Sequence, residues 1–337
     1  MLTGDQLVIA LGATSNFHHA PGVEKTATTV KTLEDANRIR QGALGLVKSA
    51  AGVTDPEERR AMLTFVVAGG GYTGVETIAA LNELVRETAA PHERIRDSEI
   101  QMVIVEPLDR LMMEVTADLA AYSQKILQGS GIRVLLNTGV KSAEGDTIEL
   151  TNGEKIRART FIWTAGIEPN RLVTELDAPK GKSKALQVTA ELALKQFEGV
   201  WALGDCADVP QPGGKGPYGA TAQNATREGK HVARNIVRLL RGQPLKPFQY
   251  KPIGELSLVG RRRGVARIYN RNFSGFTAYV LWRLIYFGKL PSMSQRLRVL
   301  SDWLLDALLG PAAKFQYIPA APAPEKITPS RQDAASA

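Results

Sequence analysis

The chain has 337 residues, 44% apolar and 23% charged, with 31 Gly, 18 Pro and one Cys, which excludes collagen, coiled coil and wholly disordered chains and suggests two domains. Its net charge of +8 is lopsided: from Arg261 onward twelve Lys and Arg face Asp302, Asp306, Glu325 and Asp333, and the preceding 260 residues are neutral overall. The lone Cys206 forbids an intramolecular disulfide or a dithiol redox centre, and with only four His, including the adjacent His18 and His19, no metal site is expected.

The first residues, Met1 to Asp5, lack the basic head and long apolar run of a signal peptide, so the expected compartment is the cytoplasm or its membrane face. Gln6 to Leu11 is a continuous apolar run ending at Gly12, which predicts a strand buried on both faces. Nothing before it supplies a neighbouring strand, the first hint of a missing N-terminal piece. Thr32 to Ser49 predicts a helix, and the polar stretch from Gly52 to Arg60 a linker into the next domain.

From Leu63 the pattern becomes strand (Leu63 to Ala68), glycine turn (Gly69 to Gly74) and helix (Val75 to Val85), with a second strand, Ile100 to Val105, ending on Glu106. A helix at 117–128, a strand at 132–136 and short alternating strands to Trp163 complete a βαβ unit with an antiparallel appendage, hence a doubly wound domain. A loop then runs to Gly199, followed by a strand from Val200 to Leu203, Gly204-Asp205, and a helix at 221–240.

The turn Gly69-Gly70-Gly71-Tyr72-Thr73-Gly74 fits G-x-G-x-x-G in its required context. Gly69 permits the tight turn, Gly71 lets backbone approach a pyrophosphate, and Gly74 lets the helix pack closely on the strand. First-turn amides and the helix dipole then bind the phosphates. Glu106, at the second strand's tip, can accept hydrogen bonds from ribose hydroxyls and would repel a 2′-phosphate, which favours NAD over NADP; Arg110 nearby is a candidate phosphate ligand. Glu76, in the first helical turn, serves either the dipole or a site beside the nicotinamide.

Taken together, Leu7 to Gly12 with Pro21 to Glu24, Gly69 to Glu76, Trp163 to Gly166 and Val200 to Ala207 closely resemble type II NADH dehydrogenases, the single-subunit, non-proton-pumping NADH:quinone oxidoreductases. The resemblance covers about residues 5–310 and implies an α/β fold with the two-dinucleotide-binding-domain flavoprotein architecture. Its parts would be a partial FAD domain (1–61), a complete Rossmann-like NAD domain (62–165), the second part of the FAD domain (166–260), a membrane-associated region of C-terminal amphipathic helices (261–317) and a disordered tail (318–337).

The resemblance further implies the cofactors FAD and NAD(H), with Gly204 and Asp205 on the flavin (Asp205 on its ribitol chain), Ala165-Gly166 as the return crossing beside it, and Gly12 and Ala222 contributing to the same site. Gln223 matches the first of two family glutamines, four residues apart, that line the quinone site; the second position here is Arg227, which could donate to a quinone carbonyl or stabilise reduced flavin. The family's first βαβ unit, with the glycine loop for the FAD pyrophosphate, has no counterpart ahead of Asp5, so a truncated form is expected.

Phe273 to Phe287 is apolar and aromatic but is interrupted by Arg283 and is too short to span a bilayer. A second segment places Leu297, Leu300, Leu304 and Leu308 on one helical face, with Arg298, Asp302 and Asp306 on another. Basic and aromatic flanks predict an interfacial helix pair on an anionic leaflet, hence a peripheral, monotopic protein at the cytoplasmic face; a dimerisation hairpin is the alternative. Arg261-Arg262-Arg263 is too short a basic run for nucleic acid. The rival functions are a soluble flavin or ferredoxin-type reductase and a non-catalytic NAD-binding fragment.

Overall fold

The computed structural model describes residues 4–309 except 215 and 253, with the backbone alone for 306–309. Leu308, Asp306 and the expected tail at 318–337 therefore lie outside the described side chains. The chain divides into two compact units between Trp282 and Arg283.

The chain opens with β1 (Leu7–Ile9) and β2 (Ala13–Ser15), then α1 (Val23–Thr26), β3 (Thr28–Thr29), α2 (Leu33–Ala50) and α3 (Pro56–Met62). Strand β1 is not buried as expected: Leu7 and Val8 are 57% and 41% exposed, and among the described residues β1 pairs, in parallel, with β13 alone. Helix α2 starts at a capping box, in which Thr32 Oγ1 accepts from Asp35 N and the Asp35 carboxylate accepts from Thr32 N. Its buried face is Ala43, Leu44, Val47 and Ala50. Much of the expected linker is helical: Asp55 caps α3 by accepting from Glu57 N, and Pro56 occupies the first turn, where its missing N–H costs nothing.

Next come β4 (Thr64–Ala68), α4 (Tyr72–Ala89), β5 (Gln101–Val105), α5 (Ala117–Gly129) and β6 (Ile132–Leu135), then β7 (Val140–Glu144), β8 (Thr147–Leu150), β9 (Lys155–Arg157) and β10 (Thr160–Trp163). Strands β3, β10, β4, β5 and β6 form one parallel sheet in that order. Every residue of β4 is buried, as befits a central parallel strand covered on both faces. One face packs on α2, α4 and α5 through residues such as Phe65, Val67, Ile78 and Leu81; the other, with Val66, Val103 and Trp163, packs against the antiparallel sheet β7-β8-β9.

The remainder comprises β11 (Ile167–Pro169), α6 (Arg171–Glu175), β12 (Leu186–Gln187), β13 (Val200–Ala202), β14 (Ala207–Asp208), α7 (Ala222–Leu240), β15 (Gly254–Gly260), β16 (Arg263–Ile268), β17 (Arg271–Ser274), α8 (Gly275–Lys289) and α9 (Met293–Leu309). The two connections between β1/β13 and the five-stranded sheet run side by side as the antiparallel pair β2-β11. A third core, including Leu186, Trp201, Cys206 and Val232, lies under β13 and α7.

Strands β15, β16 and β17 form an antiparallel sheet that runs across residue 260 and into the stretch read from sequence as membrane-associated helices. Arg261 and Arg262 are its hairpin turn, with Arg262 in the left-handed region at φ 54°. Alternation is poor here, since intermediate exposure dominates β15. Among the described residues no helix is long and apolar enough to cross a membrane.

Candidate functional site

The glycine loop occupies the β4–α4 turn, as its spacing requires. At Gly69, φ is +105°, and an added Cβ would lie 2.7 Å from Ala165 N; at Gly74 it would lie 1.8 Å from Gly69 O. Both positions exclude any side chain, because backbone meets backbone there. A Cβ on Gly71 would meet only Glu114 Oε1 at 3.6 Å, so this glycine presents an open backbone face. Gly71 is also the N-cap of α4 and offers no side-chain cap, which leaves the first-turn amides for an anion.

Gly69 and Gly71 line a cavity of about 720 Å³ together with Glu106, Glu114, Lys141 and the crossing residues Thr164 to Gly166. The Glu106 carboxylate is buried at the tip of β5, where Oε2 accepts from Gly70 N at 2.6 Å and Oε1 from Leu108 N at 3.0 Å. The crossing is clamped from both sides. Thr164 Oγ1 lies 2.9 Å from Ala68 O and 3.0 Å from Gly69 O, while His18 Nε2 bonds Ala165 O at 2.8 Å and Trp163 Nε1 donates to Asn16 O. Glycine conformations that a Cβ would destroy, free helix-terminal amides and a carboxylate at the next strand tip fit a dinucleotide. Arg110 is used otherwise: its guanidinium donates to Val115 O and Met113 O, holding the loop after β5.

Glu76 is not among the residues lining this cavity. Its Oε1 accepts from Ser257 Oγ at 2.9 Å and from Leu258 N at 3.1 Å, fastening α4 to β15. Tyr72, inside the glycine motif, adds a second tie by donating from its hydroxyl to Glu255 Oε2 at 3.1 Å. Burial, followed by the charge of Glu255, pushes the Tyr72 phenol well above its ordinary value.

A second group of expected residues gathers at the ends of β1 and β13. Gly204 adopts φ +71° at the tip of β13, and Asp205 follows it in a short 3-10 turn. Helix α7 packs on this tip, with Ala225 Cβ 3.3 Å from where a Gly204 Cβ would sit. Gly12, φ +66°, has no atom within 4 Å of its own added Cβ, and Gly12 O accepts from Asn170 N. Ala222 lies exposed in the first turn of α7, after the N-cap Thr221, whose hydroxyl accepts from Asn224 N. A left-handed glycine with an acidic neighbour beneath a helix N-terminus fits the sugar and ring end of a flavin nucleotide.

Gln223 and Arg227 lie one turn apart on α7, where Arg227 Nη1 donates to the main-chain carbonyl of Gln223 at 2.8 Å. Tyr250 completes the group, donating its hydroxyl to Gln223 Oε1 at 3.1 Å and lying under the Arg227 guanidinium at 4.2 Å.

Sequence reasoning missed Glu228, whose Oε2 accepts from Gly204 N at 2.7 Å. Burial, opposed by the Gly204 amide and reinforced by the charge of Asp205, raises its carboxyl above the usual range. A signal was present: Glu228, Val232 and Asn235 follow helical spacing on one face of α7, and all three are buried. Tyr250, Ser257 and His18 carried none, because their partners lie far off in sequence.

The pattern described as "Pyridine nucleotide-disulphide oxidoreductase" matches residues 1–229, and "NDH2 C-terminal domain" matches residues 253–311. A probable NADH dehydrogenase of Dictyostelium discoideum is 29% identical over 310 residues, covering 91% of this chain and 68% of that protein. A mitochondrial external alternative NADH-ubiquinone oxidoreductase of Yarrowia lipolytica is 28% identical, with 91% of this chain and 62% of that protein covered. A type II NADH:quinone oxidoreductase of Mycobacterium tuberculosis is 28% identical over 90% of this chain and 67% of its own. The fold is that of NDH2 from Plasmodium falciparum in complex with NADH, at TM-score 0.84 and 21% identity, over 92% of this chain and 79% of that one. The chain thus spans about two thirds of these curated relatives. From the glycine loop, the paired crossings and the two matching patterns together, the chain belongs to the pyridine nucleotide-disulphide oxidoreductase family and, within it, to the type II NADH:quinone oxidoreductases.

Proposed function

We propose that this chain oxidises NADH on FAD and delivers the electrons to a membrane quinone without pumping protons. The observation that carries the reading is the cavity in which the loop Gly69–Gly74, Glu106 and the crossing Ala165-Gly166 converge. Gly71 and the α4 amides hold the pyrophosphate, and Glu106 accepts from the ribose and opposes a 2′-phosphate, so NADH is the preferred donor. Gly12, Gly204, Asp205 and Ala222 hold the flavin nucleotide, whose ring supplies the two-electron chemistry when bound. The group Gln223, Arg227 and Tyr250 supplies hydrogen-bond donors and a fixed positive charge for a quinone carbonyl. Glu76 contributes from a distance, by keeping the loop helix seated on β15.

Attachment is to an anionic leaflet, through α8 and α9. Leu284, Leu297, Leu300 and Leu304 are exposed there, and Arg283, Arg296, Arg298 and Lys289 supply positive charge.

The test is to offer FAD to the purified chain, read the flavin-to-protein ratio from visible absorbance, and follow NADH loss with and without a short-chain quinone. Near-stoichiometric flavin and quinone-dependent NADH loss are expected. Equal rates without quinone would remove the acceptor half of the reading; absence of flavin would confine this chain's role to NADH binding.

A further inference from the structure

We propose that His18 is a ligand for the dinucleotide's pyrophosphate: its protonated imidazole supplies positive charge that the cavity otherwise lacks, so the nucleotide binds together with a proton. The assignment rests on the reading of the cavity given above.

The cavity is acidic for a site that must receive the two negative charges of a pyrophosphate. Its charged lining is Glu106, Glu114 and Lys141. Glu114 stands at the phosphate end, since a Cβ built on Gly71 would lie 3.6 Å from its Oε1. Lys141 Nζ is already engaged, donating to Glu149 Oε1 at 2.6 Å. The α4 amides offer only the partial charge of a helix terminus. His18 and His19 are the remaining lining residues that can become cationic, and histidine is the side chain whose charge ordinarily changes between pH 5 and 8.

Backbone geometry singles out His18. Both histidines sit in the left-handed region, at φ 50° and 56°, and two successive non-glycine residues stay there only where their surroundings enforce it. Asn16 does much of the enforcing: its Oδ1 accepts from His18 N at 2.8 Å, its N donates to Gly166 O at 3.2 Å, and its carbonyl accepts from Trp163 Nε1 at 2.9 Å. The ring lands on the crossing. There Nε2 lies 2.8 Å from Ala165 O, and a Cβ on Gly166, φ +111°, would meet the same nitrogen at 2.6 Å. Since Gly69 packs on Ala165 N, that one residue separates the imidazole from the glycine loop.

A carbonyl oxygen only accepts, so Nε2 carries a hydrogen, and the proton that comes and goes is the one on Nδ1. Among the described residues Nδ1 has no hydrogen-bond partner, and His18 is an exposed residue of the cavity wall. A proton there faces Glu106 and Glu114 as well as the incoming phosphates, so charge repulsion comes from Lys141 and His19 alone.

The test titrates wild type, H18Q, H18N and H19Q with ADP-ribose, which carries the pyrophosphate but cannot reduce a flavin. Calorimetry at pH 6 and pH 8 gives the affinities, and two buffers of different ionisation enthalpy at pH 7 give the proton uptake. Wild type should bind about fivefold more tightly at pH 6 than at pH 8, the gain of one partly exposed ion pair, and should take up a proton on binding. H18Q keeps a donor for Ala165 O but has no titratable group. It should match wild type at pH 8 and lose both the gain at pH 6 and the proton uptake. H18N, a residue type suited to left-handed backbone, decides the same point if H18Q fails to fold. H19Q should keep both effects. Equal wild-type affinity at the two pH values, or effects that survive in H18Q or vanish in H19Q, would overturn the assignment and leave the reading of the cavity standing. A wild type that binds no ADP-ribose at either pH would overturn both.

Discussion

Single residues carry most of the chemistry, and the glycine loop shows how sharply. A methyl group on Gly74 would sit 1.8 Å from Gly69 O, a clash of backbone with backbone that no rotamer relieves. Gly74→Ala should cost about 1–3 kcal/mol in urea unfolding, as overpacking does, and should abolish NADH binding measured by fluorescence. Glu228 makes a statement about pH. Its carboxyl is raised in the folded state by burial and then by Asp205, against the Gly204 amide, so the folded protein favours the neutral acid. The sign follows from linkage: the penalty is absent below the unfolded value near 4.5, grows as pH rises through the folded value and is complete above it. E228Q, which keeps an acceptor for Gly204 N–H, should therefore be more stable than wild type at neutral pH. That gain should vanish at pH 4, which a series of urea midpoints would show. E228L leaves the Gly204 amide unpaired and should cost about 1–3 kcal/mol at any pH.

Between elements, the decisive contact joins α4 to β15. Glu76 Oε1 accepts two hydrogen bonds from residues more than 180 positions away, and Ser257 is wholly buried. Glu76→Ala should cost about 1–3 kcal/mol, because it strands the Ser257 hydroxyl and the Leu258 amide, and thermal unfolding would register it. The spacing put Glu76 in a first helical turn, but α4 begins at Tyr72 and has no acid in its first turn, and the strand that claims Glu76 was not legible at all. Intermediate burial blurs the period-2 signal of β15, and of the basic triplet Arg261 and Arg262 form the hairpin turn while Arg263 opens β16. The opposite holds for β4 and β5, whose near-continuous burial, with the glycine turn leading from β4 into α4, left little choice of element.

For the molecule as a whole, exposed apolar side chains recur along α8 and α9, whereas Arg261, Arg262, Arg263, Arg267 and Arg271 belong to the β15–β17 sheet and its turn. Leu297, Leu300 and Leu304, predicted to share a face, are 61%, 52% and 60% exposed, and Arg283 lies 4.0 Å over the Trp303 ring. Exposed leucines at helical spacing beside arginines suit an interface with anionic lipid. Leu304→Glu should lower partition onto anionic vesicles about tenfold or more in a flotation assay, by loss of one buried side chain's transfer free energy. Raised salt should weaken wild-type binding in the same assay, since charge supplies part of the attraction.

What was readable from the chain alone was whatever depends on neighbours in sequence. The glycine loop, the carboxylate at the next strand tip, the i, i+4 pairing of Gln223 with Arg227 and the apolar face of α9 follow from local geometry, where a few residues' spacing sets direction and contact. Folding decided the rest, because it brings together residues that no spacing relates: Glu106 on Gly70, His18 on Ala165, Glu228 on Gly204, Tyr250 under Arg227 and Ser257 on Glu76. Glu106, Glu228 and Ser257 are polar groups taken out of water, and the requirement that each find a partner there is met by whichever group the packing delivers.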